Sequence, residues 1–181
     1  MKKVGIIVGS LRKDAFSKQV ADIVAKKLNE YFETEFIEIG NLPYYNQDLE
    51  VEGGTPEAWT AFRNTMNHVD AVLFVTPEYN RSVPAVLKNA LDVGSRPMKD
   101  SVWNKKPAAI ISNSPGNIGG FGANHHLRQT LAFLNMPVLG QPEVYLSQIH
   151  TLLNEDGTMV EGTSKFLDLV VTEFKNLIDL Y

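Results

Sequence analysis

The sequence contains no cysteine among its 181 residues. This absence excludes disulfide bonds, zinc sites with thiolate ligands, iron–sulfur clusters and thiol redox catalysis. An excess of positive charge is also missing, because the formal net charge is −4 and no basic run exceeds a pair such as Lys26-Lys27 or Lys105-Lys106. We therefore expect no nucleic-acid partner. Any redox chemistry of this protein must come from a bound cofactor.

Long hydrophobic runs are lacking as well. The first apolar stretch, at residues 3–8 (KVGIIV), is too short for a signal sequence or a membrane span, and no small-residue cleavage site follows it. We therefore expect a cytoplasmic protein with no membrane partner. With 44% hydrophobic and 21% charged residues, a chain of this length is expected to fold as one domain over residues 1–181.

Short β-branched runs alternate with amphipathic stretches along the chain. Strands are predicted at residues 3–8, 34–39, 71–76, 107–112 and 138–145. Apolar residues at helical spacing predict helices at residues 16–28 and 166–181, and weaker signals cover residues 56–68, 84–93 and 123–134. Strict alternation of this kind predicts an α/β fold, a doubly wound five-stranded parallel sheet of order 2-1-3-4-5 with helices on both faces.

In such a sheet, ligands bind outside the carboxyl ends of the strands, where the strand order reverses. The loops after strands one, three and four therefore matter most. The first of these, residues 9–17 (GSLRKDAFS), leads into a helix whose N-terminal amides attract an anion. Ser10 and Ser17 offer hydroxyls and Arg12 a bidentate positive charge, which suits a phosphate monoester. The alternative is a plain helix cap, with Arg12 solvated.

The loop after strand three, residues 76–84 (TPEYNRSVP), is polar and stiffened by two prolines. Its free N–H and C=O groups suit the polar edge of a planar heteroaromatic ring, with Tyr79 and Asn80 adding stacking and amide contacts. The alternative is an ordinary turn.

The loop after strand four, residues 112–122 (SNSPGNIGGFG), holds four glycines. Glycine allows a ligand to lie against the bare backbone or supplies positive φ in successive turns, and the alternative is a flexible surface loop. His125 and His126 are adjacent and point about 100° apart on a helix, so they cannot chelate one metal ion and no metal site is expected. His68 and His150 are isolated and are read as surface or capping residues.

Taken in order, these segments resemble the NADPH-dependent FMN reductase family, which includes flavodoxin-like quinone, azo-dye and chromate reductases. The resemblance runs from Val4 to about Tyr145. Its carriers are the segments 9–13 (GSLRK), 77–84 (PEYNRSVP), 87–92 (LKNALD), 114–116 (SPG) and 119–123 (GGFGA).

The resemblance implies a cofactor, FMN, with NADPH or NADH as co-substrate. The residues that it places at the phosphate are Ser10, Arg12 and Ser17. Those that it places along the ring are Pro77, Glu78, Tyr79, Asn80 and Ser82 on one edge and Ser114, Pro115, Gly116 and Gly119 on the other. Two residues depart from the family pattern: Ala15 stands where members often carry serine, and Ala85 replaces a frequent glycine. The first departure predicts weaker retention of FMN without loss of binding.

The implied activity is a two-step hydride transfer through flavin N5, with no catalytic side chain of the protein required. Quinone, azo, flavin and metal-oxyanion acceptors all fit this cycle, which predicts ping-pong kinetics. The resemblance also implies a homodimer, with a tetramer as the alternative, and we expect Met98 and Trp103 to anchor the subunit contact. The main alternative function is a flavodoxin-type electron carrier with a protein partner, which usually bears a more acidic face than a net charge of −4 allows. A third candidate function is that of a flavin-free scaffold domain.

Overall fold

Five strands and five long helices alternate along the chain in the computed structural model, which describes residues 1–51 and 53–181. The strands are β1 (Lys3–Val8), β2 (Glu33–Phe36), β3 (Ala71–Pro77), β4 (Ala108–Asn113) and β5 (Val144–Leu146). The helices are α1 (Phe16–Leu28), α2 (Glu57–Asn67), α3 (Ala85–Gly94), α4 (Phe121–Phe133) and α5 (Glu161–Asp179).

All strand pairs of the sheet are parallel, and the strand order is β2-β1-β3-β4-β5. The predicted topology is therefore confirmed. The connection from β1 leads to β2 on one side of the sheet, and the connection from β3 leads to β4 on the other side. The strand order therefore reverses between β1 and β3. In a sheet of this kind, that reversal opens a crevice at the carboxyl edge.

Helices cover both faces of the sheet and divide the core into two apolar layers. One layer packs α1 and α5 against the sheet, with Val24, Leu28 and Phe174 among its buried residues. The other lies under α2, α3 and α4 and contains Trp59 and Leu91. Because β1, β3 and β4 are buried on both faces, their sequences are almost continuously apolar.

The two edge strands differ from their predicted bounds. Strand β2 covers residues 33–36 instead of 34–39, because after the Ile37 amide bonds to the Ile6 carbonyl the chain leaves the sheet. Strand β5 covers only residues 144–146 of the predicted 138–145. Val138 forms an isolated bridge to Ala108, and Pro142, which has no amide hydrogen to donate, separates that bridge from the strand.

Helix positions agree with the sequence pattern, and the starts of two helices shift. Helix α4 begins at Phe121, two residues before the predicted start, and α5 begins at Glu161 instead of residue 166. The apolar stripe that predicts α5 starts only after a polar first turn, so periodicity alone misses that turn. Among the described residues, no helix is both long and apolar enough to cross a membrane.

The side chain of Trp103 lies in the core, fully shielded from solvent. Its ring lies 6.0 Å from the rings of both Phe62 and Phe74, and its Nε1 donates to the Leu91 carbonyl at 3.0 Å. The expectation that Trp103 anchors a subunit contact is therefore wrong, since the sequence of an irregular segment does not tell which way a tryptophan faces. Met98 is 73% exposed and could reach a partner.

Candidate active site at the carboxyl edge of the sheet

The loops after β1, β3 and β4 leave the same edge of the sheet. In the register, Val8 lies opposite Val75, and Thr76 opposite Ser112, so these three strands end within about two residues of one another. The three loops singled out from the sequence are thus neighbours at the point where the strand order reverses.

A small buried polar layer forms the floor beneath these loops. The Ser17 hydroxyl, 1% exposed, lies in the first turn of α1 and accepts a hydrogen bond from Asn113 Nδ2 at 2.9 Å. The same amide nitrogen lies 3.3 Å from the Thr76 carbonyl oxygen. One side chain thereby joins the end of β4 to the end of β3 and to the start of α1, which fixes the relative position of the three loops.

The loop after β1 ends at a helix start that has no side-chain cap. Ala15 is the N-cap residue of α1, and its side chain offers no hydrogen-bonding group to the first-turn amides. The Lys18 amide bonds to the Ala15 carbonyl at 3.0 Å, which leaves the amides of Phe16 and Ser17, before the first bond of the helix, for a ligand. Arg12 and Lys13 are exposed on this loop, and the Ser10 hydroxyl accepts only a long bond, 3.4 Å, from the Arg12 amide. The amides of Phe16 and Ser17 at the helix start, and the guanidinium of Arg12 on the loop before it, can bind an anion such as phosphate.

The loop after β3 is a tight, hydrogen-bonded turn. The amide of Tyr79 bonds to the Ser82 carbonyl, and the Ser82 amide to the Tyr79 carbonyl, both at 3.0 Å. The two residues at its tip, Asn80 and Arg81, have φ values of 50° and 65°. These bonds occupy the backbone of Tyr79 and Ser82 and leave Asn80, exposed at the tip of a rigid turn, to contact a ligand. Pro77 is the last residue of β3, and Tyr79 is half-exposed.

The loop after β4 is exposed from Pro115 to Ile118 and is fixed at its base. The carbonyl oxygens of Ser114 and Gly116 accept the amides of Ile149 and Gln148, both at 3.0 Å. Gly119 has a φ of 57°, and a Cβ there would lie 2.6 Å from the Tyr145 backbone carbon. Gly119 therefore allows the loop after β4 to pass close to the backbone of β5.

The two adjacent histidines face different neighbours. His125 Nε2 lies 2.9 Å from the Tyr145 hydroxyl, and His126 Nδ1 lies 3.0 Å from the Ser82 hydroxyl. Phe121 packs against His125, with ring centroids 4.1 Å apart. Burial, followed by the nearby Glu143 carboxylate, raises the pKa of Tyr145 to about 12, so this phenol keeps its proton in neutral solution. His68 is the C-cap residue of α2, which agrees with its predicted capping role.

The model of the NADPH-dependent FMN reductase family matches residues 2–151, which include all three loops. The chain belongs to this family. A quinone reductase from Pseudomonas putida is 48% identical over 177 residues, which cover 98% of this chain and 95% of that protein. A 2-hydroxy-1,4-benzoquinone reductase from a Burkholderia species is 43% identical over 173 residues, which cover 95% and 93% of the two chains.

Among solved structures, FerB from Paracoccus denitrificans, described as a flavoenzyme NAD(P)H:(acceptor) oxidoreductase, superposes with a TM-score of 0.92. It is 38% identical, and the match covers 99% of this chain and 98% of that one. The protein is thus an FMN reductase family enzyme that uses NAD(P)H, and the carrier and scaffold alternatives are not favoured. Likenesses to flavodoxins, such as one at 19% identity and a TM-score of 0.60, show the shared fold alone.

The residues at this edge fit the cofactor of the FMN reductase family. The open amides of Phe16 and Ser17 and the cation of Arg12, which makes no ion pair with the described residues, match a phosphate, and a rigid turn with Asn80 exposed at its tip matches the polar edge of a flavin ring. Sequence reasoning missed Asn113, the side chain that ties the three loops together. Its signal was the polar pair Ser112-Asn113 at the end of an otherwise apolar run.

Proposed function

We propose that this family member holds FMN at the carboxyl edge of the sheet and reduces quinones with NAD(P)H. The observation that carries the proposal is the convergence of three loops around an uncapped helix start. The first-turn amides of α1, together with Ser10, Arg12 and Ser17, would bind the phosphate. Ser17 would act through its amide, because its hydroxyl already bonds to Asn113.

The flavin ring would lie between the other two loops. Its residues on the β3 side are Pro77, Glu78, Tyr79, Asn80 and Ser82, and those on the β4 side are Ser114, Pro115, Gly116 and Gly119. Asn80, at the exposed tip of the turn, can offer backbone groups to the ring edge without any rearrangement. Preformed donors of this kind cost little to organise when the ligand binds.

When bound, FMN supplies the carrier that takes hydride from NAD(P)H and passes two electrons to the acceptor. The protein contributes position and access: one side of the rim must stay open so that both substrates can approach in turn. A shared open side predicts ping-pong kinetics, with parallel lines in double-reciprocal plots. Intersecting lines would contradict a shared site.

A quinone is the acceptor that the relatives support. Proteins named quinone reductase and 2-hydroxy-1,4-benzoquinone reductase match nearly the whole chain at 48% and 43% identity. Azo compounds, free flavins and metal oxyanions are acceptors of the same two-electron type and would enter by the same open side.

Anaerobic spectroscopy tests this function. We expect NADPH to bleach the visible flavin band of the loaded protein, and p-benzoquinone added afterwards to restore it. R12A should bind FMN at least about tenfold more weakly, since it loses a charge-assisted contact, whereas K13A is the matched control on the same loop. A flavin band that persists in NADPH would contradict the proposal.

The proposal also includes a cytosolic homodimer, with a tetramer as the alternative. Met98 at 73% exposure and Phe133 at 84% exposure are large apolar side chains available to a partner. Sedimentation at micromolar concentration tests the assembly: a dimer is expected, and a monomer would contradict it.

A further inference from the structure

The carboxylate of Glu78 points towards helix α4 and is only 10% exposed. Its Oε2 accepts a hydrogen bond from the Ala123 amide, in the first turn of α4, at 3.1 Å. Its Oε1 accepts one from Arg81 Nη1 at 3.2 Å. A hydrogen bond from a helix N-terminal amide to a negatively charged acceptor is strong, and the helix dipole also favours the negative charge at that end.

Two further contacts join the same turn to α4. The Arg81 carbonyl lies so close to Gly122 that a Cβ added there would be 2.7 Å from the oxygen and 2.9 Å from Glu78 Oε2. Only glycine permits this approach. One helical turn further along, His126 Nδ1 lies 3.0 Å from the Ser82 hydroxyl. The turn after β3 is therefore packed against the helix that follows the loop after β4.

The turn has a strained backbone that needs such support. Asn80 and Arg81 both have positive φ, a conformation that asparagine tolerates but that is unfavourable for a residue such as arginine. Strained residues persist where the surroundings hold them in place. Glu78 provides part of that hold, since its carboxylate bonds to Arg81 within the turn and to Ala123 outside it.

We propose that Glu78 is a positioning residue, whose side chain fixes the Tyr79–Ser82 turn to α4 and so sets the separation of the two loops that hold the flavin ring. Its carboxylate then acts on the cofactor through the turn, and any contact of Glu78 with the ring is made by its backbone. This inference rests on the proposed function, because it assumes that the ring lies between these loops.

Three variants test the role. E78A removes both hydrogen bonds, whereas E78Q keeps an oxygen that can accept from the Ala123 amide. E50A is the matched control: Glu50 is also a mostly buried carboxylate, 19% exposed, and its bond to Arg63 at 3.3 Å joins it to α2, outside these loops. Hydrogen exchange of the flavin-free proteins and fluorescence titration with FMN are measured for each, with circular dichroism to confirm folding.

For E78A we expect amides of residues 78–83 and 121–124 to exchange at least tenfold faster, and the FMN dissociation constant to rise about tenfold. E78Q should restore the dissociation constant to within about threefold, and E50A should leave both measurements unchanged. Wild-type exchange rates and affinity in E78A would overturn the inference. Rates that rise equally in E50A would also overturn it, because they would reflect general destabilisation.

The failure of the proposed function gives a different result. If FMN protects the amides of residues 9–17 and 78–83 in the wild type while E78A behaves as wild type, the positioning role alone is wrong. If FMN protects neither segment in the wild type, the location of the cofactor is wrong.

Discussion

Ala15 is the residue at which this chain departs most clearly from a good anion site. It is the N-cap of α1 and provides no side-chain acceptor for the first-turn amides and no hydroxyl for a phosphate. Serine at this position would supply both, because the extended backbone of Ala15, with φ −70° and ψ 135°, is the conformation that capping residues adopt.

We expect A15S to raise the free energy of unfolding by about 1 kcal/mol and to lower the FMN dissociation constant about tenfold. Urea denaturation and fluorescence titration measure the two effects. V160S is the control, since Val160 is the uncapped N-cap of α5, far along the chain from the loop after β1. It should leave FMN binding unchanged. Equal affinity of A15S and the wild type would show that the phosphate does not lie at this helix start.

Tyr145 gives a prediction about alkaline stability. Its pKa rises from 10.0 to about 12 on folding, first through burial and then through Glu143. Between these values the unfolded chain loses the proton and the folded chain keeps it, so stability falls as pH rises through this range. We expect the decline in free energy of unfolding above pH 10 to be shallower in Y145F than in the wild type. Y44F controls for the loss of an exposed phenol, and an identical decline in Y145F would contradict the assignment.

At the residue scale, the sequence predicted which loops meet at this edge of the sheet but not which side chains contact each other there. The candidate residues Ser10, Arg12 and Asn80 lie on the expected rim. Ser17 and Glu78, however, direct their side chains to Asn113 and Ala123. Motif spacing could not show this, because the direction of a side chain depends on elements that are distant in sequence.

At the scale of elements, α3 meets the segment that follows it in very close contact. The last residue of α3, Gly94, lies under the Trp103 ring, and a Cβ there would be 2.6 Å from Trp103 Nε1. Because Trp103 is fully buried and bonds to α3 through the Leu91 carbonyl, it has no room to move away. The contact therefore fixes the end of the helix that follows the turn of the candidate site.

We expect G94A to lower the free energy of unfolding by about 1–3 kcal/mol, the usual cost of overpacking a core. G162A is the matched control: Gly162 lies in the first turn of α5, and an added Cβ would meet nothing within 4 Å. That change should be neutral or stabilising by up to about 1 kcal/mol, because alanine favours the helix. Thermal unfolding distinguishes them, and equal melting temperatures would contradict the packing argument.

The central strands were predictable and the edges were not. Strand β1 has the bounds predicted from its apolar run, because a strand buried on both faces must be apolar at almost every position. Each of the edge strands β2 and β5 pairs with only one other strand of the described sheet. Single features therefore decide where they end: the last sheet bond from the Ile37 amide for β2, and Pro142 for β5. Local pattern carries no information on such ends.

At the scale of the whole molecule, topology decides where chemistry can occur. Reversal of strand order between β1 and β3 brings three loops of different composition to one edge, and the Ser17–Asn113 bond joins them from below. The first feature follows from the alternation of strands and helices, which is why the meeting of these loops at one edge was predictable, whereas the Ser17–Asn113 bond was not. The burial of Trp103 in the core was not predictable, because burial depends on how all the elements pack together.

A crystal structure of the protein with FMN bound is the decisive measurement. We expect the phosphate at the first turn of α1 beside Arg12, the ring between the Tyr79–Ser82 turn and the loop after β4, and one ring face open to solvent. Density for FMN at another edge of the sheet, or a ring covered by protein on both faces, would contradict it.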